Sequence, residues 1–116
     1  MLRKATGAVL AAASMAALML AAATPASAGS AGPYYCGSGA AITGVTESAG
    51  QVTYNAAPGH CGVLGIRVNY VHVGGDSWTA WKYSAYAGDN VRQTVKNAVR
   101  SMHSSSLGKL NFYSYK

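Results

Sequence analysis

Residues 63–73 read VLGIRVNYVHV, and this stretch decides the fold class. Apolar and polar side chains alternate along it with a period of two, and β-branched residues are frequent, which together predict a half-buried β-strand. Its apolar face comprises Leu64, Ile66, Val68 and Tyr70, and its polar face comprises Arg67 and Asn69. The sequence GGDS at 74–77 then signals a turn, so we expect residues 78–87 to return as the second strand of a long hairpin.

The segments on either side of this hairpin also have strand character. Residues 40–57 read as two short strands around a turn at 48–50, and residues 109–115, KLNFYSY, alternate like a terminal strand. Residues 29–32 are small and glycine-rich, which predicts a flexible arm. The sequence therefore predicts an all-β single domain, either a β-sandwich or a small barrel, of about six to eight short strands.

Residues 91–103, VRQTVKNAVRSMH, admit two interpretations. As a helix, the segment has an apolar stripe built on its valines and a basic stripe of Arg92, Lys96 and Arg100. As two strands, its valines alternate with polar residues and Lys96-Asn97 forms the turn. Valine and threonine favour strands, as does the β character of the preceding chain, but the helix stays open.

The first 28 residues have the three parts of a secretory signal peptide. A basic start at Arg3-Lys4 precedes an apolar run, and Ala26-Ser27-Ala28 supplies the small residues that a signal peptidase requires. The run is alanine-rich and only weakly apolar, which argues against a retained membrane anchor. We therefore expect cleavage after Ala28, export, and one secreted domain at 29–116 with no transmembrane segment.

Export determines how the two cysteines are interpreted. Cys36 and Cys61 are the only cysteines of the chain, and an oxidising compartment predicts a structural disulfide between them. Such a bond stabilises a small domain by about 3.5 kcal/mol in the chain-entropy treatment. Metal ligation by these cysteines with His60 and His72 lacks paired ligand spacing, so we expect no metal and no cofactor.

Positive charge limits the classes of partner. Residues 29–116 contain seven lysines and arginines against three acidic residues, which leaves a net charge of +4 with neutral histidines. Arg92, Lys96 and Arg100 form the densest group, a candidate basic patch for an anionic cell-envelope surface. The chain has no nucleic-acid-binding motif, so we expect no nucleic-acid partner.

The residue types of two catalytic sites are present, but neither set forms a motif. His72, Asp76 and Ser77 are the types of a hydrolase triad, yet GGDS is also an ordinary hairpin turn without the surroundings of a nucleophile elbow. A second set, which would suit a small secreted ribonuclease if its members converged, comprises Glu47, Arg67 and His103. We expect a protein that is not an enzyme, and we keep the ribonuclease as a further alternative.

The returning segment 78–87 is the richest in aromatic residues. Counted as one continuous strand, it has Trp81 and Tyr83 on one face and Trp78 and Tyr86 on the other. Both faces cannot be core in a two-layer protein of this size, so one aromatic pair is expected to stay partly exposed. Exposed tryptophan and tyrosine are typical of binding hot spots. The candidate partner-binding residues are Trp78, Trp81, Lys82, Tyr83 and Tyr86.

Part of this segment is similar to a known inhibitor family. Trp81-Lys82-Tyr83-Ser84, followed by Gly88-Asp89-Asn90 and Gln93-Thr94-Val95, resembles a segment of the microbial proteinaceous α-amylase inhibitors. Those inhibitors are small exported β-sandwiches whose Trp-Arg-Tyr triplet enters the amylase cleft. The resemblance implies inhibition through Trp81, Lys82 and Tyr83, with Lys82 in the place of arginine and without its planar fork. It covers about 15 residues, and the family has two disulfides where this chain has two cysteines.

A second resemblance is to the lactococcin-type bacteriocins, which are exported cationic β-sandwich peptides. It rests on Tyr54-Asn55, on His60 and on the tyrosine-rich end Phe112-Tyr113-Ser114-Tyr115, and it lacks that family's tryptophan-bearing N-terminus. We therefore expect a small secreted binding protein with a protein or carbohydrate partner outside the cell, and hydrolase inhibition as its function. A cationic antimicrobial protein is the first alternative, and the ribonuclease is the second.

Overall fold

The computed structural model describes residues 29–116, and the expected signal peptide at 1–28 lies outside the described residues. The described chain is all-β and has no helix, so residues 91–103 contain strands, as valine and threonine favour. The strands are β1 Ser30–Gly37, β2 Ala40–Glu47, β3 Gly50–Asn55, β4 Leu64–His72, β5 Gly75–Trp78, β6 Lys82–Tyr83, β7 Val91–Gln93, β8 Ala98–Ser105 and β9 Asn111–Tyr115.

These nine strands exceed the expected six to eight for two local reasons. The expected flexible arm at 29–32 is wrong, because Gly29 donates its N–H to the Tyr115 carbonyl at 2.9 Å and accepts from the Thr46 N–H at 2.6 Å. These bonds fix the start of β1. The returning strand of the hairpin is also interrupted after Trp78, which separates β5 from the two-residue β6.

Two antiparallel sheets pack face to face and form a β-sandwich. The first sheet has the order β1-β2-β3-β7, and the second has the order β5-β4-β8-β9, with β6 also paired to β4. The β4–β5 pairing aligns Asn69 with Trp78, and the β4–β6 pairing aligns Gly65 with Tyr83. Strand β4 is therefore flanked by β8 on one side and by β5 and then β6 on the other.

The register of β4 with β8 determines which side chains enter the core. Three inward pairs are buried on both strands, namely Leu64–Ser105, Ile66–His103 and Val68–Ser101. Between them, Arg67 lies opposite Met102 on the outer side of the sheet. The alternation of apolar and polar residues from 63 to 69 thus gives the true inner and outer faces of this strand.

The core between the sheets is partly apolar and partly polar. Its apolar part consists of Ala40, Ile42, Cys61, Leu64, Ile66, Val68, Val91 and Ala98. Its polar part surrounds His103, which is fully buried between the sheets. Because the inward positions of β2, β3, β8 and β9 carry threonine and serine, hydroxyl groups are available to satisfy the imidazole.

The buried polar groups form a directed hydrogen-bond network. Thr53 Oγ1 donates to the Gly65 carbonyl at 3.0 Å and accepts from His103 Nδ1 at 2.6 Å. His103 Nε2 in turn accepts from Ser114 Oγ at 2.7 Å, and that hydroxyl lies 2.6 Å from Thr46 Oγ1, which also bonds Ser101 Oγ at 2.7 Å. Each hydroxyl has one proton to give, so this direction assigns the Nδ1–H tautomer to a neutral imidazole.

The predicted disulfide is confirmed and joins the two sheets at one end of the sandwich. Cys36 lies in β1 and Cys61 precedes β4, with their Cα atoms 5.8 Å apart. Residues 29–116 contain no free cysteine. The bond therefore ties the edge strand of the first sheet to the chain that enters the central strand of the second.

Candidate functional site

The second sheet turns one face to the core and leaves the other unpacked. This outer face includes Gly65, Arg67 and Asn69 on β4, Asp76 and Trp78 on β5, Tyr83 on β6, Arg100, Met102 and Ser104 on β8, and Asn111, Tyr113 and Tyr115 on β9. Few of these side chains are ordinary surface residues, because aromatic rings and arginines predominate. A sheet face of this composition is the feature of the described chain that most needs a functional explanation.

Rings and guanidinium groups alternate across the outer face. The Arg67 Cζ atom lies 4.7 Å from the centroid of the Trp78 ring and 5.2 Å from that of Trp81. The Arg100 Cζ atom lies 5.2 Å from the Trp78 centroid and 5.7 Å from the Tyr113 centroid. We call these five residues the aromatic–arginine ladder.

Each end of the ladder continues in a tyrosine. Tyr83 stacks on Trp81 with centroids 6.0 Å apart and ring planes 15° apart, and Tyr115 lies 6.1 Å from Tyr113. Gly65 leaves room for the first of these rings, because a Cβ atom there would lie 2.9 Å from Tyr83 Cε1. Both end tyrosines are 57% exposed, whereas the two tryptophans are half-buried.

Both tryptophans lie on the outer face, and the expectation that alternation separates them is wrong. The expected count assumed one continuous strand from 78 to 87, but the strand breaks at 79–81. Thr79 causes the break: its N–H donates to the Val68 carbonyl at 2.9 Å, and its Oγ1 accepts from the Val68 N–H at 3.0 Å. The alternation of inward and outward side chains is therefore interrupted after Trp78 and begins anew at β6. As a result, Trp81 lies beside Arg67 on the outer face.

The other candidate residues of this segment are elsewhere. Lys82 alternates away from the outer face and donates from Nζ to the Arg92 carbonyl at 2.8 Å. Tyr86 lies in the loop after β6 and is 74% exposed. Trp81 and Tyr83 thus share a surface without Lys82, and the cation next to them in space is Arg67.

The candidate basic patch is distributed over both sheets. Arg92 lies in β7 of the first sheet, Lys96 in the connection from β7 to β8, and Arg100 in β8 of the second sheet. Because the segment is not helical, the three side chains do not form a helical stripe. Arg100 alone of the three belongs to the ladder.

The arginines of the ladder have no carboxylate partner within residues 29–116. Arg67 Nη2 lies 3.7 Å from Met102 Sδ, and Arg67 Nε is buried without any hydrogen-bond partner. Arg100 forms no hydrogen bond or ion pair within residues 29–116 and lies over the Trp78 and Tyr113 rings. The nearest acid along the hairpin, Asp76, accepts instead from Asn69 Nδ2 at 2.8 Å. The outer face therefore carries two guanidinium groups that form no ion pair, and the carboxylate on the same face, Asp76, is bonded to Asn69.

The structure does not bring the expected ribonuclease residues together. His103 is inside the sandwich, Arg67 is on the outer face, and Glu47 is exposed at the end of β2. Burial also lowers the pKa of His103 to about 4, so the imidazole is neutral at pH 7. A buried ring whose two nitrogens already bind hydroxyl groups is a structural histidine.

The triad-like residues in the hairpin turn are close to one another but bonded in the wrong order. Gly74 donates its N–H to His72 Nδ1 at 3.1 Å, so the neutral ring carries its proton on Nε2. That Nε2–H donates to Ser77 Oγ at 2.7 Å. In a hydrolase triad the histidine accepts from serine and donates to the aspartate, and here both relations are reversed or missing.

A shallow groove lies at the far end of β4, away from the ladder. Exposed valines at Val71, Val73 and Val99 line it together with Lys96 and Lys116. The groove thus combines apolar side chains with two cations.

The sequence places Tyr113 and Tyr115 in a terminal strand and in the bacteriocin resemblance, and Arg67 on the polar face of its strand and among the ribonuclease candidates, but it does not join the three. The alternation within each strand does indicate that all three side chains point away from the core, because each stands at an outward position of its strand. What joins them is the register of β4, β8 and β9, which single-strand periodicity does not contain.

Comparison of the chain with protein-family models finds no match, and comparisons with curated proteins and with solved structures find none either. Within residues 29–116, no group of three or more His, Cys, Asp and Glu side chains is placed to hold a metal ion. The described chain also has no helix of the length and apolarity needed to cross a membrane.

Proposed function

We propose that the protein is exported and acts outside the cell as a binding protein, with the outer face of its second sheet as the contact surface and inhibition of a secreted hydrolase as its function. The single observation that carries this proposal is the aromatic–arginine ladder. The form of residues 1–28 supports export with cleavage after Ala28, and the disulfide is compatible with an oxidising compartment.

The composition of the ladder matches that of binding hot spots. Tryptophan, tyrosine and arginine are the residues whose truncation most often costs a protein complex 2 kcal/mol or more. In this ladder the rings and guanidinium groups hold one another in place before any partner arrives, with cation–π contacts worth about 0.5 to 2 kcal/mol each. A partner therefore loses little side-chain entropy on binding, which favours affinity.

The resemblance to α-amylase inhibitors suggests the class of partner. In that family a cation between tryptophan and tyrosine enters the amylase cleft, and here Arg67 is the cation beside Trp81 and Tyr83. Arg67 has the planar fork that Lys82 lacks, and it lies on the same face as both rings. We therefore assign the role of the central cation to Arg67, which is distant in sequence but adjacent in space.

The test is inhibition of secreted α-amylases and proteases by the purified protein at micromolar concentration. For an inhibited enzyme, Trp81→Ala is expected to weaken inhibition by about 30-fold or more, the equivalent of one hot spot. Tyr35→Ala is the matched control, because Tyr35 is 66% exposed on β1 of the first sheet. Failure to inhibit any of these enzymes sinks the inhibitor function, and equal effects of the two variants sink the assignment of the contact surface.

A second candidate function, a cationic antimicrobial protein, is favoured by the groove of exposed valines beside Lys96 and Lys116. An apolar surface flanked by cations suits an anionic cell-envelope surface. Its test is growth inhibition of related bacteria by the protein and by Val73→Ser, which removes a fully exposed apolar side chain at the hairpin tip. Antimicrobial activity that the variant retains in full would exclude this groove as its origin.

A further inference from the structure

We propose that the two guanidinium groups of the ladder form a carboxylate-binding site, and that the partner is a protein presenting two aspartate or glutamate side chains to it. This inference rests on the proposed function, because it names the chemistry of the partner at the same face. The juxtaposition that carries it is Arg67 and Arg100 over the ring of Trp78, with no ion pair to either guanidinium within residues 29–116 and with Asp76, on the same face, bonded to Asn69 instead.

Most N–H donors of Arg67 and Arg100 have no acceptor within residues 29–116. An arginine side chain offers five N–H groups in one plane. Within residues 29–116, Arg67 makes one weak contact with sulfur, and Arg100 makes no hydrogen bond at all. Among the nitrogens of these two side chains that lack a partner, only Arg67 Nε is buried, so Arg67 Nη1 and the Arg100 nitrogens stay accessible to a ligand.

The guanidinium groups of the ladder are also packed against aromatic rings. Arg67 lies beside the Trp78 and Trp81 rings, and Arg100 lies beside the Trp78 and Tyr113 rings, so both side chains are restricted before a partner binds. The terminal edge of a guanidinium presents two parallel N–H groups, which match the two oxygens of a carboxylate. A carboxylate is therefore the anion that suits these two side chains.

The guanidinium groups of Arg67 and Arg100 lie close enough to bind one partner together. Each Cζ atom lies no more than 5.2 Å from the same Trp78 centroid, so the two are at most about 10 Å apart. Two like charges at that distance repel one another unless an anion binds between or beside them. A partner with a pair of carboxylates at similar spacing engages both forks at once.

The coverage of the two tryptophan rings favours a protein partner over an acidic polysaccharide. Sugar rings stack on open aromatic faces, but Trp78 and Trp81 already carry guanidinium groups over their rings, and Tyr83 stacks on Trp81. Both tryptophans are half-buried, so a sugar ring finds no fully open indole plane on this face. Such a surface suits carboxylate side chains of a protein better than the rings of a sugar chain.

The experiment titrates the purified protein with poly-L-glutamate and follows tryptophan emission, since both tryptophans belong to the ladder. Binding is expected to be saturable and to weaken as salt rises. Arg67→Gln and Arg100→Gln are each expected to weaken it by about 10-fold or more, the usual effect of losing a charge-assisted hydrogen bond. Arg67→Lys, which keeps the charge but loses the fork, is expected to fall between wild type and Arg67→Gln.

Lys96→Gln is the matched control, because it removes one charge of the same sign from outside the ladder. Near-ultraviolet circular dichroism verifies that each variant keeps its tertiary packing. Equal weakening by Lys96→Gln and the arginine variants overturns the proposal, and so does binding of polygalacturonate with no binding of poly-L-glutamate. If Trp81→Ala abolishes enzyme inhibition while both arginine variants inhibit fully, the carboxylate site and the assignment of the central cation to Arg67 fail, and inhibition through the outer face stands.

Discussion

At the scale of single residues, His103 explains how a core rich in hydroxyl groups holds together. Its ring links Thr53 on β3 to Ser114 on β9, so one side chain bonds across both sheets. Desolvation penalises the charged imidazole and lowers its pKa to about 4. The network is therefore stable only while His103 is neutral.

This pKa predicts how stability depends on pH. An unfolded histidine has a pKa near 6.5, so the unfolded state binds the proton first as the pH falls. The contribution of His103 is fully present above about pH 6.5, is lost progressively down to about pH 4, and amounts to about 3 kcal/mol in total. Denaturant unfolding at each pH measures it.

The control for this prediction is His103→Gln, which has no titrating ring and should lack this part of the slope. NMR titration of the His103 ring gives its native pKa independently, even if the variant does not fold. A native pKa near 6.5 for His103 would contradict the account.

Gly44 is the second single residue on which the core depends. It lies on β2 against His103, and a methyl group there would overlap the imidazole ring. We predict that Gly44→Ala lowers the free energy of unfolding by about 3 kcal/mol, because the buried ring has no space into which it can move.

Gly37→Ala is the matched control for this substitution. Gly37 is an exposed position of β1 with no atom within 4 Å of the added methyl group, so the free energy of unfolding should stay within about 0.5 kcal/mol. Similar losses for both glycine substitutions would show that backbone effects, and not the overlap with His103, determine stability at Gly44.

At the scale of elements, the interrupted hairpin β4–β5–β6 builds the candidate site. At Thr79 the regular backbone hydrogen bonding between the strands is replaced by two bonds to Val68. The Thr79 N–H donates to the Val68 carbonyl, and the Thr79 hydroxyl accepts from the Val68 N–H. The interruption brings Trp78 and Trp81 to the same face, on either side of Arg67. Without it, the ladder would lose one of its tryptophans.

Thr79→Val tests this element. The substitution keeps the shape of the side chain but leaves the buried N–H of Val68 without its acceptor, so the free energy of unfolding should fall by about 1 to 3 kcal/mol. Thr94→Val is the control, since Thr94 is exposed after β7 and its hydroxyl makes no hydrogen bond within the described residues. Chemical denaturation measures the free energy of unfolding of both variants. Equal decreases for Thr79→Val and Thr94→Val would refute the role of Thr79.

The hairpin also shows how far sequence periodicity reaches. Residues 63–69 alternate without interruption, and their inner and outer faces are correctly predicted. In residues 78–87 the alternation predicts the wrong faces. The Thr79 hydroxyl takes the place of a backbone acceptor, the strand is interrupted there, and the alternation of inner and outer positions starts again. No local propensity in the sequence marks this interruption. Strand character in 91–103 was favoured by valine and threonine, whereas the pairing of these strands depends on distant partners.

At the scale of the whole molecule, the disulfide compensates for a small core. Within residues 29–116 the apolar cluster contains eight buried residues, and much of the remaining interior is polar. The bond between Cys36 and Cys61 closes a loop with a sequence separation of 25 and connects the two sheets. It restricts the unfolded chain, which raises the relative free energy of that state.

We predict that replacing both cysteines by alanine lowers the free energy of unfolding by about 3.5 kcal/mol, a large part of what a domain of this size has. Denaturant unfolding of this double variant, compared with the oxidised protein, measures the change. A loss below about 1 kcal/mol would show that the polar core suffices without the disulfide.

The fold class and the disulfide follow from the sequence because alternation and cysteine count are local or compositional properties. The ladder does not, because it joins β4, β5, β8 and β9 through the register of a sheet. Tyr113, for example, becomes a neighbour of Trp78 only when β8 and β9 are placed beside β4. Reading such a site from one sequence requires the pairing of strands that are far apart in the chain.

The central claim, that a partner covers the aromatic–arginine ladder, is tested most directly by acrylamide quenching of tryptophan emission with and without an inhibited hydrolase. For the quenching measurement the hydrolase is produced with 4-fluorotryptophan, which does not fluoresce. A separate sample of this protein labelled with 5-fluorotryptophan gives the fluorine resonances of Trp78 and Trp81 with and without the unlabelled hydrolase. The account predicts that saturating enzyme protects both Trp78 and Trp81 from the quencher and shifts both resonances. Unchanged quenching and unchanged resonances in the saturated complex would show that the partner binds elsewhere, and would contradict the claim.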